Sequence, residues 1–331
     1  MKTATSEPAL CLPKTAAVEQ IDFSKLPDRP VVSIVVPSFN QGRYIRATID
    51  SILTQVYRPL QIIVIDGASR DETVSILESY GGLPELEWLS ESDSGVVEAV
   101  NKGFSRIRGH LVAIQSSDDC YTTGAIATVV DEFKRSPRLG LLYGDTVKVD
   151  AHGRELARQP IGPYSLQNLL RIKTWIPQPS AFFRYELLDV LGGWDDRIPY
   201  APDTDLWLRM AFRTEVRKLN AFLSQRRVHD EQRDTQAERI ARDFARMIEQ
   251  SADIAGAPPE IRRAAHAGKH LMRVRYNGTG SDWYAAWCLM RAGACDRACL
   301  DLPRLTRYLC WLPLRRQLSK VKQLLQRRTS A

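Results

Sequence analysis

The chain has 331 residues, of which 44% are apolar and 26% charged, with a formal net charge of +7. Such proportions belong to a folded globular protein and exclude a disordered, collagen-like or low-complexity chain. No run approaches the ~18 consecutive apolar residues of a membrane span, and the N-terminal MKTATSEPALCLPKTAAVEQ lacks the apolar core of a secretory signal.

The charge surplus is local. Arg304, Arg307, Arg315, Arg316, Lys320, Lys322, Arg327 and Arg328 crowd the C-terminal end with no acid among them. The other 38 basic residues face 39 acidic ones, so the body is neutral. A nucleic-acid-binding body, which needs basic residues spread over a folded face, is disfavoured. Cys11, Cys120, Cys288, Cys295, Cys299 and Cys310 do not make a disulfide scaffold in a chain of this length, and no CxxC occurs. Cys295 with Cys299 and His266 with His270 each stand one helical turn apart, yet neither pair has the companion ligands of a zinc motif. Idle thiols in a reducing cytoplasm are the expectation.

Residues 1–30 carry four prolines and no apolar period, which reads as an irregular lead-in. VVSIVVP (31–37) is a continuous β-branched run, the pattern of a strand buried on both faces. Residues 44–53 follow with a helical period, LQIIVID (60–66) is a second buried strand, and residues 72–80 a second helix. LEWLSE (86–91) reads as a short strand, 96–107 as a helix and HLVAIQ (110–115) as a strand. This alternation with short connections predicts βαβ units and a mostly parallel sheet. A helix over 123–133 and a strand at LGLLYGD (139–145) come next, and then the regularity fades. Ala151-His152-Gly153 reads as a hairpin turn, with helices over 164–172, 185–191 and 203–212. From about Asp234 the propensity is helical, broken at 256–259 and 277–280, which places a boundary near 230–255.

In open α/β sheets ligands sit beyond the carboxyl ends of the strands. Here those ends read Pro37-Ser38-Phe39-Asn40, Asp66-Gly67-Ala68-Ser69, Asp93-Ser94-Gly95 and Ser116-Ser117-Asp118-Asp119. Three acidic clusters stand where a dinucleotide or P-loop site would display glycine. A diphosphate would therefore be held through a hard divalent cation, Mg²⁺ or Mn²⁺, with phosphate oxygens and water completing its shell. Any one cluster taken alone reads rather as turn residues and helix caps, Asp71 with Ser69 among them. Three at successive strand ends favour a site, and the adjacent Asp118-Asp119 is the sharpest, because side-by-side carboxylates repel unless a cation or hydroxyl shares them.

At these residues the chain resembles the family 2 glycosyltransferases. VSIVVPSFNQGRYIRATIDSILTQVY, DGASRDET and SESDSGVVEAVNKGFSRIRGHLVAIQSSDD match that family's opening stretches, and YGD, IPQPSAFFR, GGWDD, APDTDLWLR and RRVHD continue in its order. The resemblance implies an α/β chain with the GT-A nucleotide-diphospho-sugar transferase fold, mostly parallel in its central sheet, followed by a C-terminal helical region. The catalytic domain would occupy 31–235, the lead-in 1–30, and a helical region with a basic amphipathic tail 236–331.

It also implies roles. Pro37, Ser38, Asn40 and Asp66 would line the nucleoside pocket with Asp93, Asp118 would meet the ribose, and Asp119 would bind the metal, with His229 as a further ligand or a packed loop histidine. Inversion at the anomeric carbon needs a carboxylate to take the acceptor's proton. Asp203 matches the family's base and Asp205 its second, structural acid, while Pro202 departs from the acidic or Met-Asp pattern. Gly67 stands where many members have a second, base-reading Asp, which leaves the nucleotide open, and Arg70 and Glu72 replace small loop residues. Gln178, Pro179 and Trp194 would lie on the acceptor side, or Trp194 in the core.

Two readings remain for the tail. Trp283, Tyr284, Trp287, Tyr308 and Trp311 precede or interleave with the cations, which suits an interfacial segment on anionic lipid. A helical subdomain packed on the catalytic domain is the other. The expected activity is transfer of a sugar from a nucleotide-sugar donor to a glycan or lipid-linked acceptor in bacterial cell-surface polysaccharide assembly, at the cytoplasmic face of the inner membrane. A nucleotidyltransferase would need a Gly-rich, cationic loop after the first strand, and a non-catalytic binding module would have lost Asp119 or the base.

Overall fold

The computed structural model describes residues 20–158, 160–229, 236–275 and 282–311. Residues 1–19 of the lead-in, the break at 277–280 and the tail beyond Trp311, with six of its eight cations, lie outside these residues.

The first half alternates as expected: β1 (Val32–Ser38), α1 (Ile45–Leu53), β2 (Leu60–Asp66), α2 (Thr73–Glu78), β3 (Leu86–Ser90), α3 (Val96–Phe104) and β4 (Leu111–Ile114). β5 (Cys120–Tyr121), α4 (Ala125–Arg135), β6 (Leu139–Val149), β7 (Glu155–Arg158) and α5 (Leu166–Leu170) follow. Then come β8 (Ala181–Arg184), α6 (Glu186–Leu191), α7 (Pro202–Arg213) and the 13-residue β9 (Glu215–Arg227). The remainder is helical: α8 (Ala237–Gln250), α9 (Ala252–Gly256), α10 (Pro259–Arg275), α11 (Asp282–Cys295) and α12 (Leu302–Thr306).

The strands form one sheet in the order β3-β2-β1-β4-β8-β6-β9-β5, with β7 beside β6. From β3 to β4 all pairings are parallel. β8 then runs antiparallel to both β4 and β6, while β6 and β9 pair in parallel. The sheet is thus mixed: wholly parallel across the βαβ half, and beyond it antiparallel except between β6 and β9. The reason lies in the connections: α3 and its loops carry the chain from β3 across to β4, whereas β6 and β7 join through the tight turn at 151–153.

β1 and β2 are buried along both faces, which is why they read as unbroken β-branched runs. Their side chains alternate between two cores. Ile34, Val36, Ile62 and Val64 meet Ile45, Ile49 and Ile52 of α1 and Ile126, Val129 and Phe133 of α4 on one face. Val35, Ile63 and Ile65 meet Val97, Val100 and Phe104 of α3 on the other.

That second core does not stop at the sheet's own helices. Phe244, Met247 and Ile248 of α8, Ile254 of α9, and Ile261, Ala264, Ala265 and Met272 of α10 join it alongside Trp207 and Leu169. Arg213 is paired with Asp253 at 2.7 Å, and Arg171 with Asp296 at 2.7 Å. Leu305 and Tyr308 lie against the smaller cluster of α10 and α11. The described start of the tail therefore packs on α10 and α11.

Gly268 marks the closest approach, because a Cβ there would fall on the Leu170 carbonyl oxygen of α5. Gly268→Ala should push α10 off α5 and cost about 1–3 kcal/mol, the range for overpacking a tight interface. Denaturant unfolding measures it, and an unchanged midpoint would mean that α10 is not seated as described.

Candidate active site

Parallel pairing sets the site. The register puts Ser38 beside Asp66 and Asp66 beside Ser90, so β1, β2 and β3 end in one line. Their loops, with the segment after β4, form one wall of a cleft of about 1310 Å³. Pro37, Ser38, Asn40, Asp93, Asp118, Asp119, Asp203 and His229 all line it, which brings together every expected site residue except Asp66.

Asp66 lies beneath the cleft and is fully buried. Its Oδ2 accepts hydrogen bonds from the Ser69 N–H (2.9 Å) and the Ser90 hydroxyl (2.7 Å), and Oδ1 accepts from the Ser69 hydroxyl at 2.5 Å. In this arrangement it fastens the loop whose Gly67, Ala68 and Arg70 reach the cleft. The Ser69 hydroxyl oxygen in turn accepts the Asn40 N–H at 2.7 Å, and Asn40 Oδ1 accepts the Arg70 N–H at 2.9 Å. Asn40 (φ 51°) and Ala68 (φ 59°) are both left-handed, and such strain persists only where neighbours over-determine the backbone. Asp71 behaves as the sequence suggests: Oδ1 accepts from Thr73 N–H at the start of α2, and Oδ2 accepts from Gly42 N–H. A Cβ on Gly67 would come within 3.0 Å of Asp93 Oδ2, so the absent side chain makes room for that carboxylate.

Asp118 and Asp119 follow β4. Asp119 is 4% exposed, and its Oδ1 accepts the Arg227 N–H at 2.8 Å. Burial, and then the neighbouring Asp118 carboxylate, hold the Asp119 carboxyl well above the ordinary carboxylate range. Asp118 Oδ2 lies 3.0 Å from His229 Nε2, and the His229 ring lies against Tyr44, tilted by 32° with centroids 5.0 Å apart. Arg227 braces the pair, donating from Nε to the Asp118 carbonyl and from Nη1 to the carbonyls of Asp150 and Ala151.

A divalent cation is the group this fold leads one to expect here. Among the described residues no cluster of three or more His, Cys, Asp or Glu is placed to hold a metal unaided. Two adjacent carboxylates and an imidazole nevertheless supply suitable donors, and a positive charge would offset the cost that burial and Asp118 impose on ionised Asp119. The residues fit a cation that shares its shell with phosphate oxygens and water.

Asp203 lies in the first turn of α7, after Pro202 at its start. Its Oδ1 accepts the Thr204 N–H at 2.7 Å. Asp205 is turned away: Oδ2 accepts from Arg209 Nε at 2.8 Å, and burial raises its carboxyl while Arg209 opposes the rise. Arg209 also donates to the carbonyls of Leu191 and Gly193, so the Asp205–Arg209 pair clamps the GGWDD turn. Trp194 belongs to the core, where its backbone N–H and carbonyl are both bonded to the Asn101 side chain. Gln178 and Pro179 do line the cleft, and Gln178 Oε1 accepts the Ser116 hydroxyl at 3.1 Å.

The sequence reading missed much of the far wall. Trp175, Tyr200, Trp207, Ile240, Phe244, Met272 and Arg275 line the cleft with Arg226. Four of them, Ile240, Phe244, Met272 and Arg275, come from the helical region. Helical periodicity marks Phe244 and Met272 as buried but carries no sign of which face meets a ligand. Arg226 and Arg227 were visible only as part of RRVHD.

Residues 33–191 match the family model described as Glycosyl transferase family 2. The chondroitin synthase of Escherichia coli is 26% identical over 215 residues, 64% of this chain and 31% of that protein. The hyaluronan synthase of Pasteurella multocida is 25% identical over 211 residues, 63% of this chain and 22% of that one. The chain thus spans about a third or less of these relatives. Among solved structures, the mannosyltransferase PcManGT of Pyrobaculum calidifontis, in complex with GDP-Man and Mn²⁺, superposes with a TM-score of 0.60 at 23% identity, over 92% of this chain and 83% of that one. Residues 1–349 of S. aureus TarS, in complex with UDP-GlcNAc, give 0.59 at 15% identity, over 84% and 86%. The match over 33–191 marks that segment as a family 2 glycosyltransferase domain, and the sheet order with the carboxylate-lined cleft at the strand ends goes with the GT-A fold of the superposed structures.

Proposed function

We propose that the enzyme is an inverting transferase that moves a sugar from a nucleotide-diphosphate sugar to a hydroxyl of a glycan or lipid-linked acceptor, with Asp203 as general base. The observation that carries this reading is that Asp118-Asp119, from the end of β4, and Asp203, from the first turn of α7, line one cleft. The first pair suits the diphosphate end of a donor and the second suits the attacking hydroxyl.

Pro37, Ser38, Asn40 and Asp93 would border the nucleoside, with Asp66 setting the loop from below, and Asp118 would meet the ribose. Asp203 takes the proton of the acceptor hydroxyl as its oxygen bonds to the anomeric carbon. The bond from that carbon to the diphosphate breaks on the opposite face, and its electron pair leaves with the nucleoside diphosphate. A divalent cation on Asp119, with His229 beside it, would supply Lewis-acid neutralisation of that leaving group. The names of the chondroitin and hyaluronan synthases support a polysaccharide acceptor. Assembly of bacterial cell-surface glycan at the cytoplasmic face of the inner membrane is consistent with the aromatic and basic C-terminal region. Among the described residues no helix is long and apolar enough to cross a membrane.

Asp119→Ala should abolish cation-dependent donor binding, while Asp203→Asn should keep binding and lose transfer by about 10²- to 10⁴-fold, the usual cost of removing a general base. Nucleotide release from UDP-, GDP- and dTDP-sugars with Mn²⁺ or Mg²⁺ selects the donor, and calorimetry then compares the variants. Equal loss of donor affinity in both would break the assignment.

Asp119→Asn should raise the stability of the metal-free protein at neutral pH. The unfolded carboxyl titrates near 3.9, roughly the free value, and the folded one higher. Between those values the unfolded state gives up its proton first, so stability falls as pH rises until the folded group has also ionised. The amide keeps the bond to Arg227 without that loss. Melting curves in EDTA should diverge as pH rises from about 4, with the variant above, and identical curves would place Asp119 in a wetter setting.

Deleting 312–331 should leave donor hydrolysis intact and weaken binding to anionic vesicles, because each lost cation near such a surface contributes about 1 kcal/mol. Co-sedimentation at low and high salt checks this, and full-length protein that stays in the supernatant at low salt would end the membrane reading.

A further inference from the structure

A second cavity, of about 510 Å³, adjoins the cleft between the end of α5, α10, α11 and residues 298–304. Its charge is opposite to that of the strand-end wall. Arg171, Lys173, Arg275 and Arg304 line it, against the single lining carboxylate of Asp301, which already accepts the Arg304 backbone N–H at 2.9 Å. Two of these cations are fixed in place. Arg171 Nε is bonded to Asp296 Oδ2 at 2.7 Å, and Lys173 Nζ donates to the Ala298 carbonyl at 2.9 Å. A guanidinium has five N–H donors and an ammonium three, so each keeps capacity beyond these bonds. Leu271, Leu289 and Leu300 contribute apolar surface to the remaining wall.

The backbone between the two fixed cations is strained. Ile172 has φ 56°, an outlier for a β-branched residue, and persists where the surroundings over-determine it. Ile172 and Arg275 line both the cavity and the cleft, so the two spaces share a wall. On the cleft side Arg275 lies 4.9 Å above the ring of Trp175, which is 45% exposed and offers a flat face for a sugar ring.

We propose that this cavity is a subsite for a phosphate or diphosphate group carried by the acceptor, which anchors there while the acceptor's hydroxyl is presented to Asp203. The assignment rests on the transferase reading for its acceptor, but the anion site is tested without turnover. Clustered arginine and lysine around a hollow are the chemistry that recognises phosphate oxygens. The donor's own diphosphate belongs at the carboxylate wall and needs a cation there, which separates the two sources of phosphate.

The probe is inorganic pyrophosphate, titrated by calorimetry into the full chain in EDTA, where the carboxylate wall repels it. Binding that weakens with salt is expected, as is an affinity about tenfold or more lower in Lys173→Gln/Arg304→Gln, from the loss of two charge-assisted contacts. Asp119→Ala should bind pyrophosphate as the parent does. Arg304→Glu, at an exposed position, gives a second measure should the double variant lose its circular dichroism signal. No binding in EDTA, or equal binding in both cation variants, overturns the proposal and leaves the transferase reading standing. Pyrophosphate binding that follows these variants in a protein inert to every sugar nucleotide would do the reverse.

Discussion

Direct parallel register between β1, β2 and β3 carries Ser38, Asp66 and Ser90 to one edge, and the organisation of the cleft follows from the charge that this concentrates. Asp66, Asp71, Asp93, Asp118 and Asp119 gather within a few residues of three strand ends, those of β2, β3 and β4. Like charges this dense repel, so the fold has to spend donors on them. It does so unevenly. Asp66 takes three bonds from two serines, and Asp71 takes backbone and side-chain donors from Thr73 and the Gly42 N–H. Those two are consumed by the scaffold.

Asp119 is treated differently. It receives the Arg227 N–H, yet burial and Asp118 still keep its proton on at a pH where an ordinary carboxyl has lost it. A positive charge beside the carboxyl would offset that cost, which is what the proposed cation would supply. Arg227 serves the same end from the other side. It is the last residue of β9, so the strand between β6 and β5 also pins the Asp118 carbonyl and the turn at 150–151.

How much of this could be read from the sequence depended on periodicity. β1, β2 and β4 are buried on both faces, so their runs were plain and their ends located the acidic clusters. β9 was invisible by the same test, since EVRKLNAFLSQRR mixes cations with apolar residues along a half-buried strand. Trp194 could be read as acceptor wall or core, and its bonds to Asn101, distant in sequence, put it in the core. Asp66 shows the reverse limit: its place in the motif was clear, but no spacing reveals that Ser90, on the next strand, would seal it from below. The contribution of α8 and α10 to the cleft was hidden because a buried helix face looks alike whether it meets core or ligand.

The two walls that result are chemically unlike. The strand-end wall is made of regular structure, fixed by sheet register, and is acidic, so it meets anionic phosphate only with a cation between. The other wall comes from irregular segments around 172–179 and from helices, and it leads past Trp175 to Arg171, Lys173 and Arg304, which can meet an anion directly. Asp203 lines the cleft that both walls enclose, at the end of α7 where the helix dipole is positive. A substrate with phosphate at one end and a neutral hydroxyl at the other has one favourable direction in such a field. Reversing it would set its phosphate against Asp118 and Asp119 and leave the basic cavity unpaired. On the proposed reading, charge layout, rather than shape alone, would order the two substrates along the cleft.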